Sequence, residues 1–254
     1  MLDITIIKCL SDNYSYLIRD KKTNTVAVVD PSEMDAIDFE IQKSYKKLDF
    51  ILNTHHHIDH IGGNSGLKKK YRSQIICSLK DKEKIPNADI FKINDDIFSL
   101  GKTKFKTIHI PGHTLGHIAF FSQSAKVIFT GDTLFSLGCG KIFEGTFQDM
   151  FDSLEKLKKI PKNTMVYCGH EYTKKNAEFC LSVDKENQKL KERVKDVYIN
   201  IQKKIPTIPV TLETELETNS FLRCDDTKIK DYLKMDKSNK LEVFTELRKL
   251  KDNF

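Results

Sequence analysis

The sequence predicts an α/β protein with layered strands and helices, followed by a small all-helical domain. Short apolar runs typical of strands alternate with helical patterns across residues 1–175, the mixture expected of a layered arrangement. From there on, the pattern becomes long, polar and helical. Several of the apolar runs also end at a turn that carries a histidine or an aspartate. We therefore expect a catalytic domain at 1–175 and a helical substrate-binding domain at 176–254.

The elements of the first domain follow from apolar spacing and from chain-breaking residues. Met34, Ile37 and Ile41 recur at helical spacing, whereas Pro31 ends the third strand because proline cannot pair there. Strands are predicted over 4–10, 14–18, 25–29, 48–52, 74–77, 105–110, 117–122, 126–130 and 164–167. Helices are predicted over 34–46, 66–71 and 147–159.

The predicted helical domain begins inside one long polar segment. Its helical pattern runs over 173–198, and Pro206 and Pro209 interrupt the chain beyond it. Two more helices are predicted over 226–235 and 240–251.

Composition narrows the classes of function. The 254 residues carry a net charge of +6 without a block of like charges, so we expect no nucleic-acid partner. We also expect no membrane segment, since no apolar run approaches spanning length. Six separated cysteines without a C-x-x-C pair favour free thiols in a reducing compartment. A cytoplasmic protein, as a monomer or weak dimer, is the expectation.

The most informative segment is the heptad Thr-His-His-His-Ile-Asp-His at 54–60. It follows an apolar run and precedes a glycine pair, so a strand ending in a tight turn can splay its polar side chains around one point. Because side chains alternate along extended backbone, the first and third histidines share one side and the middle one, His56, points away. The candidate ligands of this segment are His55, His57, Asp59 and His60.

Three further candidate ligands share one local pattern. His113, Asp132 and His170 each follow an apolar run and then a glycine. Five histidines and two aspartates at strand ends are enough for two divalent ions. Imidazole and carboxylate ligands suit zinc first, with iron or manganese as alternatives.

Our hypothesis divides these ligands between two ions and makes Asp59 and Asp132 the candidate catalytic residues. Water shared by two cations is acidified to a pKa of roughly 7, so a bridging hydroxide can act as the nucleophile. One ion takes His55, His57 and His113, the other takes Asp59, His60 and His170, and Asp132 bridges them.

At these residues the chain resembles the metallo-β-lactamase superfamily and, within it, the glyoxalase II (hydroxyacylglutathione hydrolase) family. The H-x-H-x-D-H signature belongs to the whole superfamily. The segments 138–146 and 168–173, the opening at 12–16 and the basic end at 247–254 resemble the narrower family. The resemblance implies an αββα sandwich with the metals at one edge, and the same seven ligands.

The resemblance also implies a reaction and a set of glutathione contacts. The reaction is hydrolysis of S-D-lactoylglutathione, and of other S-2-hydroxyacylglutathiones, to a hydroxy acid and glutathione in methylglyoxal detoxification. The thiolate leaving group, with a conjugate-acid pKa of about 8.5, needs no strong general acid. The implied glutathione contacts are Lys141, Tyr172, Arg248 and Lys251, with Phe143 where the family often has tyrosine. Ser220 stands where the family usually has proline after Asn219.

Simpler interpretations of the glutathione contacts stay open. Arg248 and Lys251 are three residues apart on a predicted helix, where cations also complement the negative helix end. Lys141 is alternatively an ordinary surface lysine, and Tyr172 a packed core residue.

Four other functions compete with the thioesterase. A class B β-lactamase commonly has cysteine where Asp132 stands, and a tRNA 3′-end nuclease would carry an added RNA-binding module. A persulfide dioxygenase, which uses one iron and usually lacks the full helical domain, is the strongest rival enzyme. The fourth alternative is a catalytically silent metal-binding protein. The complete set of seven candidate ligands argues against it, because such a protein has no need for open metal positions.

Overall fold

The computed structural model describes residues 2–254. The chain forms two compact units. The first unit comprises the residues up to His109 together with Leu115–Gly131, and the second comprises Ile110–Thr114 and Asp132–Phe254. No helix within residues 2–254 is long and apolar enough to cross a membrane.

The first unit contains two groups of hydrogen-bonded strands. A six-stranded sheet runs in chain order, antiparallel across its first three strands and parallel across the rest. Its strands are β1 (Leu2–Cys9), β2 (Asn13–Asp20), β3 (Thr25–Val29), β4 (Phe50–Leu52), β5 (Gln74–Ser78) and β6 (Ile90–Lys92). An antiparallel group follows with β7 (Ile97–Leu100), β8 (Thr103–His109), β9 (Ile118–Ser122) and β10 (Val127–Gly131).

Helices and aromatic rings cover the two faces of the six-stranded sheet. The helices are α1 (Met34–Ser44), α2 (Ile58–Ile61) and α3 (Asn64–Tyr71). Ile37, Ile41 and Leu67 are fully buried in one core with apolar side chains of the sheet, each burial stabilising the fold by about 1.5–3 kcal/mol. On the opposite face, the Tyr16 ring of β2 lies 5.3 Å from the Phe129 ring of β10. The first unit is therefore built in layers, helices on sheet on sheet.

The second unit is mainly helical. Its short strands are β11 (Leu134–Phe135), β12 (Gly138–Cys139), β13 (Met165–Cys168) and β14 (Val210–Thr211). Its helices are α4 (Phe147–Leu157), α5 (Thr173–Val183), α6 (Gln188–Gln202), α7 (Leu212–Thr218), α8 (Thr227–Leu233) and α9 (Lys240–Asp252). Both α4 and α9 begin with a capping box, which satisfies backbone amides at the helix start.

The structure refines two sequence expectations about the C-terminal part. The helical pattern expected over 173–198 forms two helices, because the Asn187 side chain accepts a hydrogen bond from Leu190 N at 3.1 Å and starts α6 anew. The region 176–254 is also not entirely helical, since β14 pairs antiparallel with Met165 and Val166. A two-residue strand is formed by its tertiary partner and has no periodicity of its own to read. The domain boundary at residue 175 remains a prediction.

Asn219 and Ser220 begin a short 3₁₀ helix over Ser220–Leu222. The Asn219 side chain accepts from Phe221 N at 3.1 Å, and the Asn219 backbone is extended, with φ −84° and ψ 113°. An extended conformation is the one favoured before proline. A first helical residue also needs no intrahelical acceptor for its amide. Serine in place of the family's proline therefore leaves this turn intact.

We expect Ser220→Pro to stabilise the protein. The substitution suits the local backbone and restricts the unfolded chain, an effect worth about 0.4–1 kcal/mol. The free energy of unfolding from denaturant titration measures it, with Ser220→Ala as the control for loss of the hydroxyl. A Ser220→Pro protein less stable than Ser220→Ala would show that the turn rejects proline.

Candidate metal centre and substrate site

The heptad loop leaves β4 and is held by the buried residues around Thr54. Thr54 N donates to Asp30 Oδ1 at 2.8 Å, and the Thr54 hydroxyl donates to Asp30 Oδ2 at 2.6 Å. Ile118 N donates to Thr54 O at 2.9 Å. The loop is thus fixed from two strand ends before its histidines begin.

The first unit brings together the four predicted ligands of the heptad. The His55 ring lies 4.7 Å from the His57 ring and 4.2 Å from the His60 ring. Asp59 Oδ2 lies 3.5 Å from His60 Nε2 and accepts from Asn13 Nδ2 at 2.9 Å. These imidazoles and this carboxylate form one compact set of donors, as the heptad predicts.

Asp30 is a residue of this centre that the sequence interpretation missed. Its Oδ2 lies 3.1 Å from His60 Nδ1, and its side chain is 3% exposed. A carboxylate accepts, so His60 Nδ1 carries the proton and Nε2 is the nitrogen available to a metal. Both Asp30 oxygens already accept from Thr54, which makes Asp30 an orienting residue. An aspartate between a buried strand and Pro31 was the available signal.

The other histidines near the heptad serve packing and hydrogen bonding. His56 Nδ1 lies 3.2 Å from Oδ1 of the buried Asp81. The side chain of His56 thus has a different partner from those of His55 and His57, as the alternation of side chains along extended backbone predicts. His117 is fully buried and stacks on His55 at 4.7 Å.

Gly131 has φ +47°, and a Cβ there would lie 2.4 Å from Thr54 Oγ1, so the residue before Asp132 has to be glycine.

The second unit brings together the other three predicted ligands. Asp132 Oδ2 lies 3.4 Å from His113 Nε2 and 3.3 Å from His170 Nε2. All three residues are buried. His113 Nδ1 lies 2.8 Å from the Lys141 carbonyl oxygen, which accepts its hydrogen bond and leaves Nε2 as the nitrogen available to a metal. Ligand atoms about 2.1 Å from one tetrahedral ion are separated by about 3.4 Å, so each of the two carboxylate–imidazole pairs has the spacing of two ligands on a common ion.

The donor chemistry of both clusters fits divalent metals. Each cluster offers neutral imidazole nitrogens and carboxylate oxygens, the ligands of zinc and of first-row redox metals. In both, a hydrogen bond donated by Nδ1 orients a histidine so that its Nε2 lies near a carboxylate. A carboxylate or carbonyl behind a ligand histidine is the usual support of a metal site. The assignment of each ligand to one of two ions remains a prediction.

Three predicted glutathione contacts lie around the ligands of the second unit. The Tyr172 ring is 38% exposed and stacks on His170 at 4.7 Å. Phe143 is 62% exposed and meets the His113 ring at 5.2 Å, while the Lys141 ammonium lies 5.9 Å from the Phe143 centroid. Exposed aromatic and cationic groups beside two predicted ligand histidines suit an anionic substrate.

The turn before Lys141 depends on close backbone contacts. A Cβ on Gly140 would lie 1.8 Å from the Asp132 carbonyl oxygen, so only glycine allows the chain to pass there. Gly140 N donates to Thr133 O at 3.1 Å. The glycine-rich turn therefore joins the Asp132 loop to Lys141 at short range.

Arg248 and Lys251 of α9 are engaged within the protein. Arg248 is 5% exposed, and its Nη1 donates to Cys139 O at 2.8 Å while its Nη2 lies 3.0 Å from Asp252 Oδ1. Lys251 Nζ donates to Lys175 O at 3.1 Å. Burial, and secondarily the Arg248 guanidinium, lowers the pKa of Lys251. Arg248 therefore holds the strand β12 that precedes Lys141, besides any contact with substrate.

We expect Arg248→Ala to raise KM for a glutathione thioester several-fold with little change in kcat. The substitution removes a cation and the hydrogen bond that holds Cys139. Both affect substrate binding and not the chemical step. Steady-state kinetics measures the effect, with the exposed neighbour Lys249→Ala as the matched control. An unchanged KM would restrict Arg248 to a structural role in α9 and β12.

Two family models together match nearly the whole chain. Residues 11–170 match the metallo-beta-lactamase superfamily. Residues 171–254 match the hydroxyacylglutathione hydrolase C-terminus. The second match separates this chain from relatives that share only the metal-binding fold.

Curated relatives match from end to end. A hydroxyacylglutathione hydrolase of Pelagibacter ubique is 48% identical over 253 residues and covers 100% of both chains. One from Brucella ovis is 45% identical over 253 residues, covering 100% of this chain and 98% of its own. The chain belongs to the hydroxyacylglutathione hydrolase family. The predicted family resemblance and the metal-dependent hydrolase class are thereby confirmed.

Solved structures support the fold. ETHE1 from Myxococcus xanthus superposes with a TM-score of 0.70 at 22% identity, covering 97% of this chain and 90% of its own. The di-iron-bound form of TTHA1623 superposes with a TM-score of 0.61 at 20% identity, covering 86% and 100%. The metallo-β-lactamase fold predicted for this member of the hydroxyacylglutathione hydrolases is confirmed.

Proposed function

We propose that this protein hydrolyses S-D-lactoylglutathione, and other S-2-hydroxyacylglutathiones, to a hydroxy acid and glutathione. The observation that carries the proposal is the end-to-end identity of 48% to a hydroxyacylglutathione hydrolase. The match to that family's C-terminal model over 171–254 supports it, because this region contains Tyr172, Arg248 and Lys251. The physiological role that follows is methylglyoxal detoxification.

The two histidine clusters are proposed to act as one dinuclear centre. His55, His57 and His113 would hold one divalent ion, while Asp59, His60 and His170 would hold the other, with Asp132 shared. Zinc is the proposed metal, with iron and manganese as alternatives. When bound, such ions lower the pKa of water and stabilise the negative charge that develops on the thioester oxygen. We further propose a cytoplasmic monomer or weak dimer.

The protein's own residues would bind and orient the glutathione part of the substrate. Glutathione has two carboxylates and one ammonium group, so it is anionic and suits the cations Lys141, Arg248 and Lys251. The Tyr172 hydroxyl would donate a hydrogen bond to the substrate from a ring that stacks on His170. Phe143 lacks the hydroxyl usual in the family, the loss of one hydrogen bond worth about 0.5–1.5 kcal/mol, so we expect weaker affinity with activity retained.

A metal-analysed preparation tests the proposal directly. Loss of the thioester of S-D-lactoylglutathione is followed alongside oxygen uptake on glutathione persulfide. Thioester hydrolysis without oxygen uptake supports the proposal. Inactivity on the thioester combined with oxygen uptake would replace it with a persulfide dioxygenase, and inactivity on both in a metal-loaded sample would indicate a silent metal-binding protein.

A further inference from the structure

A network of polar side chains in the second unit, half-buried at Glu171 and buried elsewhere, has no part in the proposed chemistry. We refer to it as the polar network. It connects the corner after His170, the segment before β14 and the β11–β12 hairpin. Its members are Glu171, Thr207, Arg193, Ser136 and Glu215.

Glu171 forms the end of the polar network that lies beside the metal ligands. It stands between His170 and Tyr172, and its Oε2 accepts from Thr207 N at 2.9 Å. Its Oε1 accepts from the Thr207 hydroxyl at 2.7 Å. Thr207 is 2% exposed. Two hydrogen bonds to one carboxylate therefore fasten the His170–Tyr172 corner to the segment that follows α6.

Arg193 joins that segment to the hairpin. Its Nη2 donates to Thr207 O at 2.7 Å and to Ser136 Oγ at 3.2 Å, and the residue is 7% exposed. The guanidinium is rigid and planar, so it fixes the distance between the two segments that it bridges.

Glu215 completes the polar network from α7. Its Oε1 accepts from the Ser136 hydroxyl and its Oε2 from Leu137 N, both at 2.8 Å. Asn219 Nδ2 donates to Glu215 Oε2 at 3.0 Å and to Gly138 O at 3.0 Å. Glu215 and Asn219 are both fully buried. The turn of the β11–β12 hairpin is therefore held by directed hydrogen bonds.

The segments so joined are those that present the predicted substrate contacts. Phe135 of the hairpin meets the Tyr172 ring at 5.3 Å and the His170 ring at 6.0 Å. The same hairpin continues into Lys141. Buried ionic groups cost more desolvation free energy than apolar packing in the same volume. The hydrogen bonds of the polar network are directional, however, so together they fix the relative orientation of the three segments.

We propose that Glu171, Arg193 and Glu215 are positioning residues, which orient Tyr172 and the β11–β12 hairpin for binding the glutathione part of the substrate. The proposal rests on the proposed function. None of the three residues needs to touch the substrate, because each acts through the backbone or side chain that it holds. A role in binding rather than in the chemical step predicts a change in KM.

A double-mutant cycle on Glu171 and Thr207 tests the proposal. Glu171→Gln, Thr207→Val and the double variant are compared in KM and kcat for S-D-lactoylglutathione, and in Kd for a glutathione S-alkyl thioether, which is not hydrolysed. We expect each single variant to raise KM and Kd about tenfold, the effect of one charge-assisted hydrogen bond. We expect kcat within about twofold and metal content unchanged. The double variant should be no worse than the poorer single variant, because both remove one interaction.

Glu192→Gln is the matched control, an exposed carboxylate next to Arg193 on the same helix, and should leave KM unchanged. Unchanged KM and Kd in Glu171→Gln, with normal wild-type turnover, would overturn the positioning role while the proposed function stands. Additive effects, or a loss of kcat together with metal, would overturn it too. If Glu171→Gln does not fold, Thr207→Val, which keeps the bond from Thr207 N, decides alone. Wild-type protein that neither hydrolyses the thioester nor binds the thioether would instead remove the proposed function.

Discussion

Asp132→Ala is expected to lower kcat/KM for S-D-lactoylglutathione by at least about 10³-fold, or about 4 kcal/mol of transition-state stabilisation. Asp132 Oδ2 lies 3.3 Å and 3.4 Å from the Nε2 atoms of two histidines. It is the carboxylate that our assignment shares between both ions. Its removal takes negative charge and a ligand from the whole centre, so bound metal should fall with activity.

Two measurements and two controls make this result interpretable. Elemental analysis reports the metal bound per chain, and thioester loss reports the activity of the same sample. Asp132→Asn keeps the volume of the side chain while removing its charge, and Asp152→Ala removes an exposed carboxylate of α4. A fully metal-loaded Asp132→Ala protein as active as its parent would contradict the assignment.

Asp30→Ala is expected to weaken metal binding about 10- to 100-fold, the usual cost of losing a hydrogen-bond partner behind a ligand histidine. Without the Asp30 carboxylate, His60 Nδ1 loses its acceptor at 3.1 Å and the ring loses its fixed orientation. The Thr54 amide and hydroxyl lose their acceptors at the same time. Asp30→Asn should retain more affinity, since its amide oxygen can accept and asparagine tolerates the φ of +47°.

Competition titration against a chelator measures the affinity, and the rise of Tm on adding metal gives a second readout. Asp95→Ala is a matched control for backbone strain. Asp95 also has positive φ, at 68°, but it is exposed on the surface. Its replacement should lower stability and leave the metal affinity unchanged. Equal metal affinities in Asp30→Ala and Asp95→Ala would assign Asp30 to the turn alone.

Much of the candidate centre could be predicted because its candidate ligands lie in short local patterns. The spacing within 54–60 determines which imidazoles share a side of extended backbone. The glycine before Asp132 is also a local signal, because the φ of +47° that requires glycine belongs to that single residue. Strand and helix positions in the first unit were predictable for the same reason, because apolar periodicity records which side chains are buried.

The supporting residues could not be predicted in this way. Asp30 lies 30 positions before His60 in the sequence, and Glu215 lies 79 positions after Ser136. Nothing in the sequence around Arg248 indicates that its guanidinium donates a hydrogen bond to the carbonyl oxygen of Cys139, 109 positions away. Such partners are chosen when distant segments fold against each other.

The amino-acid sequence by itself determined the family, the candidate metal ligands and most of the strands and helices of the first unit. The tertiary structure alone decided which nitrogen of His60 and of His113 is left available to a metal, and how the segments around Tyr172 are held. The physical reason is range. Backbone periodicity and ligand spacing act over a few residues, whereas buried hydrogen bonds join groups that only the folded chain brings within about 3 Å.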